Sequence, residues 1–170
     1  TNLISTLVGE SLEGDAKWKG TLAAPNGSLY GIPHSSRRVG KFNPIDKSMT
    51  EIGPTFGTGR KWIGGAITPS GIIYCVPNNS RRGILKIDTN TDNATELDVN
   101  LLPEQGTYRW ASCAAALDGC IYFMSRDARR IMKLDPNNND AMSSVGNDVG
   151  DGLNDLYSGT VLHGSPNISD

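Results

Sequence analysis

One pattern occurs three times along this chain, and no other feature constrains its fold as tightly. The copies open at Trp18, Trp62 and Trp110, 44 and 48 residues apart, and Tyr157 opens a partial fourth 47 residues further on. Nine positions after each Trp stands a Gly (Gly27, Gly71, Gly119), and twelve after it a Tyr (Tyr30, Tyr74, Tyr122). An Arg pair follows: Arg37 and Arg38, Arg81 and Arg82, Arg129 and Arg130. A Lys with an Asn or Asp two residues on ends the shared part: Lys41 and Asn43, Lys86 and Asp88, Lys133 and Asp135. The first and third copies align without gaps to this point, and the second carries one extra residue, assigned to Gly83. A unit of this size cannot bury its apolar face alone and must stack on its neighbours.

Each copy predicts four short strands. In the second, 63–68 is a strand of small residues and Pro69-Ser70-Gly71 a turn. Residues 72–76 are an apolar strand, 81–87 alternate basic and apolar as a half-buried strand does, and 94–99 form the fourth strand. Asp88 to Asn93 is a turn rich in residues that bond their own backbone. No long apolar period of 3.6 residues occurs, so almost no helix is expected. Four antiparallel strands in about 45 residues describe a blade, and the fold class is an all-β β-propeller. The first strand of each blade lines the central channel, and the Trp before it wedges between blades, where a large ring buries much area at low rotamer cost. The chain divides into 1–17 (last strand of a preceding blade, 3–8, and a connection), blades at 18–61, 62–109 and 110–156, and 157–170 (first strand of a following blade, 157–162). Partial blades at both ends point to part of a larger propeller. The alternatives are an oligomer closing a ring from several arcs, of which a homodimer is one form, or a strained four-blade ring.

The net charge of −2 gives no global attraction to nucleic acid or anionic membranes, and no run of 18 apolar residues exists to span a bilayer. Few aromatics remain beyond those committed to packing, which also argues against nucleic acid. Cys75, Cys113 and Cys120 are odd in number. A two-residue turn at Asp118-Gly119 would set Leu117 opposite Cys120 and Cys113 near Met124, keeping the sulfurs apart, so free buried thiols are expected. Free thiols favour the cytoplasm, whereas four Asn-x-Ser/Thr sequons beginning at Asn26, Asn78, Asn93 and Asn167 favour export, so the compartment stays open.

The run Trp-x-Gly-Gly-x-x-x-Pro-x-Gly-x-Ile-Tyr-x-x-Pro, clearest at Trp62 to Pro77, with the later Ile84-Leu85-Lys86-Ile87-Asp88, resembles propeller repeats of microalgae and other protists. It is more distantly similar to NHL, YVTN and virginiamycin B lyase-type propellers through the Gly-x-Ile-Tyr turn and the later Leu134-Asp135-Pro136. The resemblance covers about residues 18–145. It implies architecture rather than activity, because this fold hosts many functions. The lyases use a His and metal-binding acids, whereas this chain has only His34 and His163, at non-equivalent places. No catalytic residue carries over.

The Arg pairs are the best functional lead. They lie where the second strand turns into the third, on the face that also carries the blade-to-blade connections with Lys17, Lys19, Arg60, Lys61 and Arg109. Arg37, Arg38, Arg81, Arg82, Arg129, Arg130, Lys61 and Arg109 are therefore the candidate ligand-binding residues. A guanidinium fork binds phosphate, sulfate or carboxylate in two-pronged fashion. Neighbouring strand residues face opposite sides of a sheet, so one Arg of each pair can equally cover the blade surface. Asp88, Asn90 and Asp92 alternate like the start of a calcium loop, but Asn93 and Val99 stand where that loop needs Gly and Glu. Turn chemistry accounts for them, and no metal or other cofactor is expected. His34 beside Ser35 and Ser36 is read as a solvated turn residue. The chain is thus expected to be a non-catalytic binding or scaffold module, with a protein or small anionic ligand docking on the Arg-bearing face. A propeller lyase or hydrolase, or a purely structural arc, are the other readings.

Overall fold

A computed structural model describes residues 14–78, 82–97, 110–126 and 128–147. Among these residues twelve strands form three antiparallel sheets, each within one copy of the repeat. The first sheet is β1 (Trp18–Ala23), β2 (Leu29–Pro33), β3 (Val39–Phe42) and β4 (Met49–Ile52). The second is β5 (Trp62–Ile67), β6 (Ile72–Pro77), β7 (Ile84–Asp88) and β8 (Asn93–Leu97). The third is β9 (Trp110–Ala115), β10 (Ile121–Ser125), β11 (Ile131–Asp135) and β12 (Ala141–Val145). Strand order in each follows the chain, and no helix occurs among the described residues. The strands expected over 3–8 and 157–162 lie outside the described residues.

The repeated Gly has a conformational reason. Gly27, Gly71 and Gly119 all stand at φ of 80° to 84°, closing three-residue hairpin loops in which Ala24, Thr68 and Ala116 each donate an amide to the residue four on. A left-handed residue is needed there, and only Gly takes it without cost. This loop corrects the two-residue turn expected at Asp118-Gly119. With one more residue in the loop, Ala116 rather than Leu117 faces Cys120, and Cys113 pairs with Phe123 rather than Met124. The conclusion for the thiols survives, since all three cysteines are free and buried. The third strand of the second copy also begins later than expected, at Ile84. Glu96 takes the Gly83 amide at 2.9 Å and the Arg82 guanidinium at 2.9 Å, so a side chain replaces the ladder there.

Alternation across the middle sheet builds both hydrophobic cores. Ile73 and Cys75 of β6 face the first sheet, with Leu85, Ile87 and Trp62, against Tyr30, Ile32 and Val39. Tyr74 and Val76, with Ile84, face the third sheet, against Trp110, Cys113, Ile121, Phe123, Met132 and Leu134. A strand buried on both faces reads as an unbroken apolar run, which is why β6 shows no polar alternation. Fully burying each such side chain contributes roughly 1.5–3 kcal/mol. Trp62 and Trp110 sit at the sheet–sheet junctions. Trp62 meets Phe56 of the preceding connection edge-on at 5.0 Å and donates its indole N–H to Gly83 O at 2.9 Å. Trp18 lies over its own sheet instead, where a Cβ on Gly40 would fall 2.7 Å from the ring.

The inner strands β1, β5 and β9 lie side by side. Gly20 and Gly64 permit this: a Cβ on Gly20 would stand 3.2 Å from Gly64 Cα. A cleft of about 240 Å³ runs along them, lined by Thr21, Ile63, Gly64, Ala111 and Ser112 among others.

Candidate functional site

The turn after β2 is laid across the start of the inner strands. The Lys17 carbonyl accepts the amides of His34, Ser35 and Ser36, and the Lys61 amide donates to His34 O. The residue before Trp18 is thereby tied to the β2–β3 turn, and basic side chains from both segments are brought to one end of the sheets. In the second copy the same tie recurs as Asn78 N to Lys61 O, 2.7 Å.

At the junction of the first two sheets this arrangement buries a cation. Lys61 is fully buried, and its ammonium donates to His34 O and Gly59 O, each at 3.1 Å. Among the described residues no carboxylate pairs with it. Burial, reinforced by Arg82 and Arg37, holds its pKa below the usual lysine value. His34 is 8 % exposed, with Nδ1 3.3 Å from Ser35 Oγ. Burial and then the charges of Lys19 and Arg60 hold its imidazole below the ordinary histidine value, although a backbone hydrogen bond opposes them. Arg82 bridges the two sheets: it pairs with Glu96, stacks 5.6 Å from the Trp62 ring centroid, and reaches Gly57 of the connection. Exposed Arg37 gives its carbonyl to Phe56 N at 2.7 Å, fixing the same connection.

Of the eight candidate residues, the structure brings Arg37, Lys61 and Arg82 together. Arg38 stays exposed and serves through its carbonyl, which accepts the Trp18 indole at 3.1 Å. Arg129 and Arg130 are exposed on the turn of the third sheet. Arg81 and Arg109 lie outside the described residues. His34 is the member that sequence reasoning set aside as a solvated turn residue. Its role comes from the turn that crosses the buried Lys61, a relation across 27 residues that no local pattern carries.

A second hollow, about 320 Å³, opens beside Trp18 and is lined by Lys17, Ser35, Ser36, Arg37 and Glu51 among others. Arg37 is thus shared between this hollow and the buried Lys61 cluster. The acidic turns are spent on their own backbone. Asp88 accepts the Asn90 amide and Asp135 the Asn137 amide, both at 2.9 Å, and among the described residues no group of three His, Cys, Asp or Glu is placed to hold a metal ion.

The fold is that of a β-propeller. No family model and no curated protein matches the chain. Solved structures do: a catalytically inactive virginiamycin B lyase from Staphylococcus aureus with quinupristin matches at TM-score 0.62 and 12 % identity, over 79 % of this chain and 43 % of that one. Hydrazine synthase of Kuenenia stuttgartiensis matches at TM-score 0.59 and 16 % identity, over 86 % and 41 %. An auxiliary nutrient binding protein from Bacteroides ovatus matches at 0.56 and 16 %, over 79 % and 33 %. The chain therefore spans less than half the length of these propellers, and at such identities the likeness establishes the fold alone. Among the described residues no helix is long and apolar enough to cross a membrane.

Proposed function

We propose that this protein is a non-catalytic binding module whose Arg-bearing face docks an anionic group, centred on Arg37, Lys61 and Arg82. The observation that carries the reading is the fully buried Lys61 ammonium, held by two backbone carbonyls with further cations around it. A buried charge with no carboxylate beside it is costly, and an anion docked at the exposed Arg37 beside it offsets part of that cost. Guanidinium groups on either side supply the directional contacts that such an anion needs. A phosphate or sulfate ion and an acidic side chain of a protein partner share this chemistry. The repeats themselves we place with the Trp-x-Gly-Gly propeller repeats of microalgae and protists, a placement that rests on the motif positions shared by all three copies.

The Ser35–His34 contact does not favour a hydrolase. A base that takes a proton is better the more its cation is stabilised, and the charges acting on His34 from Lys19, Arg60 and Lys61 oppose that cation.

The test compares sodium phosphate, sodium sulfate and an Asp/Glu-rich peptide with sodium chloride at matched ionic strength, reading melting temperature and amide chemical shifts. Shifts at Arg37, Lys61 and Arg82 with the small ions alone identify a small-ion site. Shifts with the peptide alone identify a protein-docking face. Lys61→Met and Arg37→Ala should each abolish them. Identical behaviour in all four solutions sinks the proposal.

A further inference from the structure

Each internal sheet–sheet junction is closed by one carboxylate shared between a Tyr and a Lys of the preceding sheet. At the first, Asp92 accepts from Tyr30 Oη at 2.7 Å and pairs with Lys41. At the second, Asp140 accepts from Tyr74 Oη and pairs with Lys86 at 2.6 Å. Both aspartates end the turn before the last strand of their sheet, in left-handed conformation at φ 57°.

The outer face of the third sheet carries the same elements with nothing across from them among the described residues. Tyr122, Met124 and Ile131 occupy the positions of Tyr74, Val76 and Ile84 yet are only half-buried, where the latter three are buried. Its Tyr and Lys are already closed from within the sheet. Asp118 accepts from Tyr122 Oη at 2.8 Å and from Lys133 at 3.1 Å, and these contacts with the Cys120 amide draw its carboxyl down to about 2. The earlier copies have Asn26 and Ser70 where Asp118 stands. The first sheet departs in the opposite sense. At the left-handed end of its last turn, where the other two sheets have aspartate, stands exposed Lys47 at φ 61°. The ladder resumes at the next residue, Ser48, whose carbonyl takes the Asn43 amide.

The two departures are complementary in sign. We propose that the outer face of β10 and β11 docks on the Trp18 face of a second copy of this chain, with Lys47 of that copy meeting Asp118. An aspartate arriving at this clasp would face the Asp118 carboxylate, whereas a lysine completes it. The contact continues the packing of the two internal junctions, with the Tyr122, Met124 and Ile131 surface laid against the Trp18 ring and the hollow beside it. Being heterologous, it is made twice when two copies close a ring.

Sedimentation velocity of the full chain over a wide range of concentration tests this. The expected result is a discrete species of about twice 18.2 kDa in equilibrium with monomer. Lys47→Asp restores the residue type of the other two sheets, at a backbone conformation that Asp92 and Asp140 already adopt, so folding is retained. Set against Asp118, it should weaken dimerisation by about tenfold or more, the scale of opposed charges at an interface. The pair Lys47→Asp with Asp118→Asn rebuilds an internal-type clasp and should restore association to within a few-fold. A chain that stays monomeric at every concentration overturns the proposal and returns the face to another blade or to a segment of the same chain. A dimer indifferent to Lys47→Asp overturns it as well.

Discussion

Tyr74 donates its phenol to Asp140 across 2.5 Å, joining the second sheet to the third between residues 66 apart in sequence. Lys86 holds the other carboxylate oxygen at 2.6 Å and sits 5.6 Å from the Tyr74 ring centroid. Burial and the adjacent carboxylate raise the phenol well above its ordinary value, so it remains a donor at every pH the fold survives. Because one carboxylate serves two donors from two strands, the stagger of one sheet on the next is set by a single residue. A slip of one position loses both contacts together.

Replacing Tyr74 by Phe keeps the ring in the core and removes only the hydroxyl. A hydrogen bond to a charged group contributes about 1.5–3 kcal/mol, so Tyr74→Phe should lower unfolding free energy by about 2 kcal/mol. Tyr122→Phe breaks a bond of the same chemistry at an exposed place and should cost at most about 0.5 kcal/mol. Urea denaturation of both variants checks the contrast. Equal losses would mean that the sheet-to-sheet position of the Tyr74 bond adds nothing.

The three Trp residues are identical in the repeat but not in their bonding. The indole N–H of Trp18 and of Trp62 each reaches a carbonyl of the following turn, Arg38 O and Gly83 O. Among the described residues Trp110 Nε1 is buried with no partner, and so is Ser125 Oγ, from the residue paired with Trp110 in the ladder. Earlier copies have Pro33 and Pro77 at the position of Ser125, and Ala128 is buried in the turn beyond. A buried hydroxyl without a partner costs about 1–3 kcal/mol, so Ser125→Ala should stabilise the protein, by about 0.5–1 kcal/mol after the lost packing is counted. Trp62→Phe should be costlier than Trp110→Phe, because it also strands Gly83 O. A destabilised Ser125→Ala in thermal unfolding would show that the hydroxyl finds a partner in solution.

The architecture was legible because it rests on repetition. Trp, Gly and Tyr recur at fixed offsets: Trp62 and Trp110 fill junctions while Trp18 covers its own sheet, the glycines turn hairpins, and Tyr30 and Tyr74 face the next sheet. The candidate site was legible only as a list of basic residues. That Arg37, Lys61 and Arg82 converge while Arg38 does not depends on which side of each strand faces inward and on how the turn after β2 crosses the start of β5. The alternation could not settle this, since β7 starts at Ile84 and the Arg pair of that copy precedes it. The clasps were hidden for a similar reason. Asp92 and Asp140 read as turn formers, and their partners are 62 and 66 residues away.

Gly65 sits opposite Cys75 in the ladder between β5 and β6. A methyl group there would stand 2.7 Å from Tyr74 O and 3.2 Å from Cys75 Cα. These are backbone atoms of a strand packed on both faces, so they cannot yield as the end of a side chain would. Gly65→Ala is expected to cost about 1–3 kcal/mol, the range of overpacked interiors. Denaturant titration reads it directly. Gly27→Ala meets no atom within 4 Å and is penalised only through its φ of 83°, so its loss should be about 1 kcal/mol and confined to the hairpin. A neutral Gly65→Ala would mean that β5 can move off β6, contrary to the close packing of the inner strands.

His34 links the proposed anion site to pH. Its folded pKa lies below the ordinary 6.5 because burial and the neighbouring cations disfavour the imidazolium. The unfolded chain therefore binds a proton at pH values where the folded chain does not. The stability that depends on neutral His34 is fully present above about pH 6.5 and is lost progressively as pH falls toward the folded value. His34→Asn should remove this part of the slope, so the difference between wild type and variant narrows as the solution is made acidic. An anion held by Arg37, Lys61 and Arg82 would offset the cations that depress the imidazole. Saturating phosphate should then move its titration upward, as followed by the Hε1 resonance, and flatten the loss of stability below pH 6.5. An imidazole titrating at or above 6.5 in the absence of anions would show that the cations around it are screened by solvent and exert no hold on bound charge.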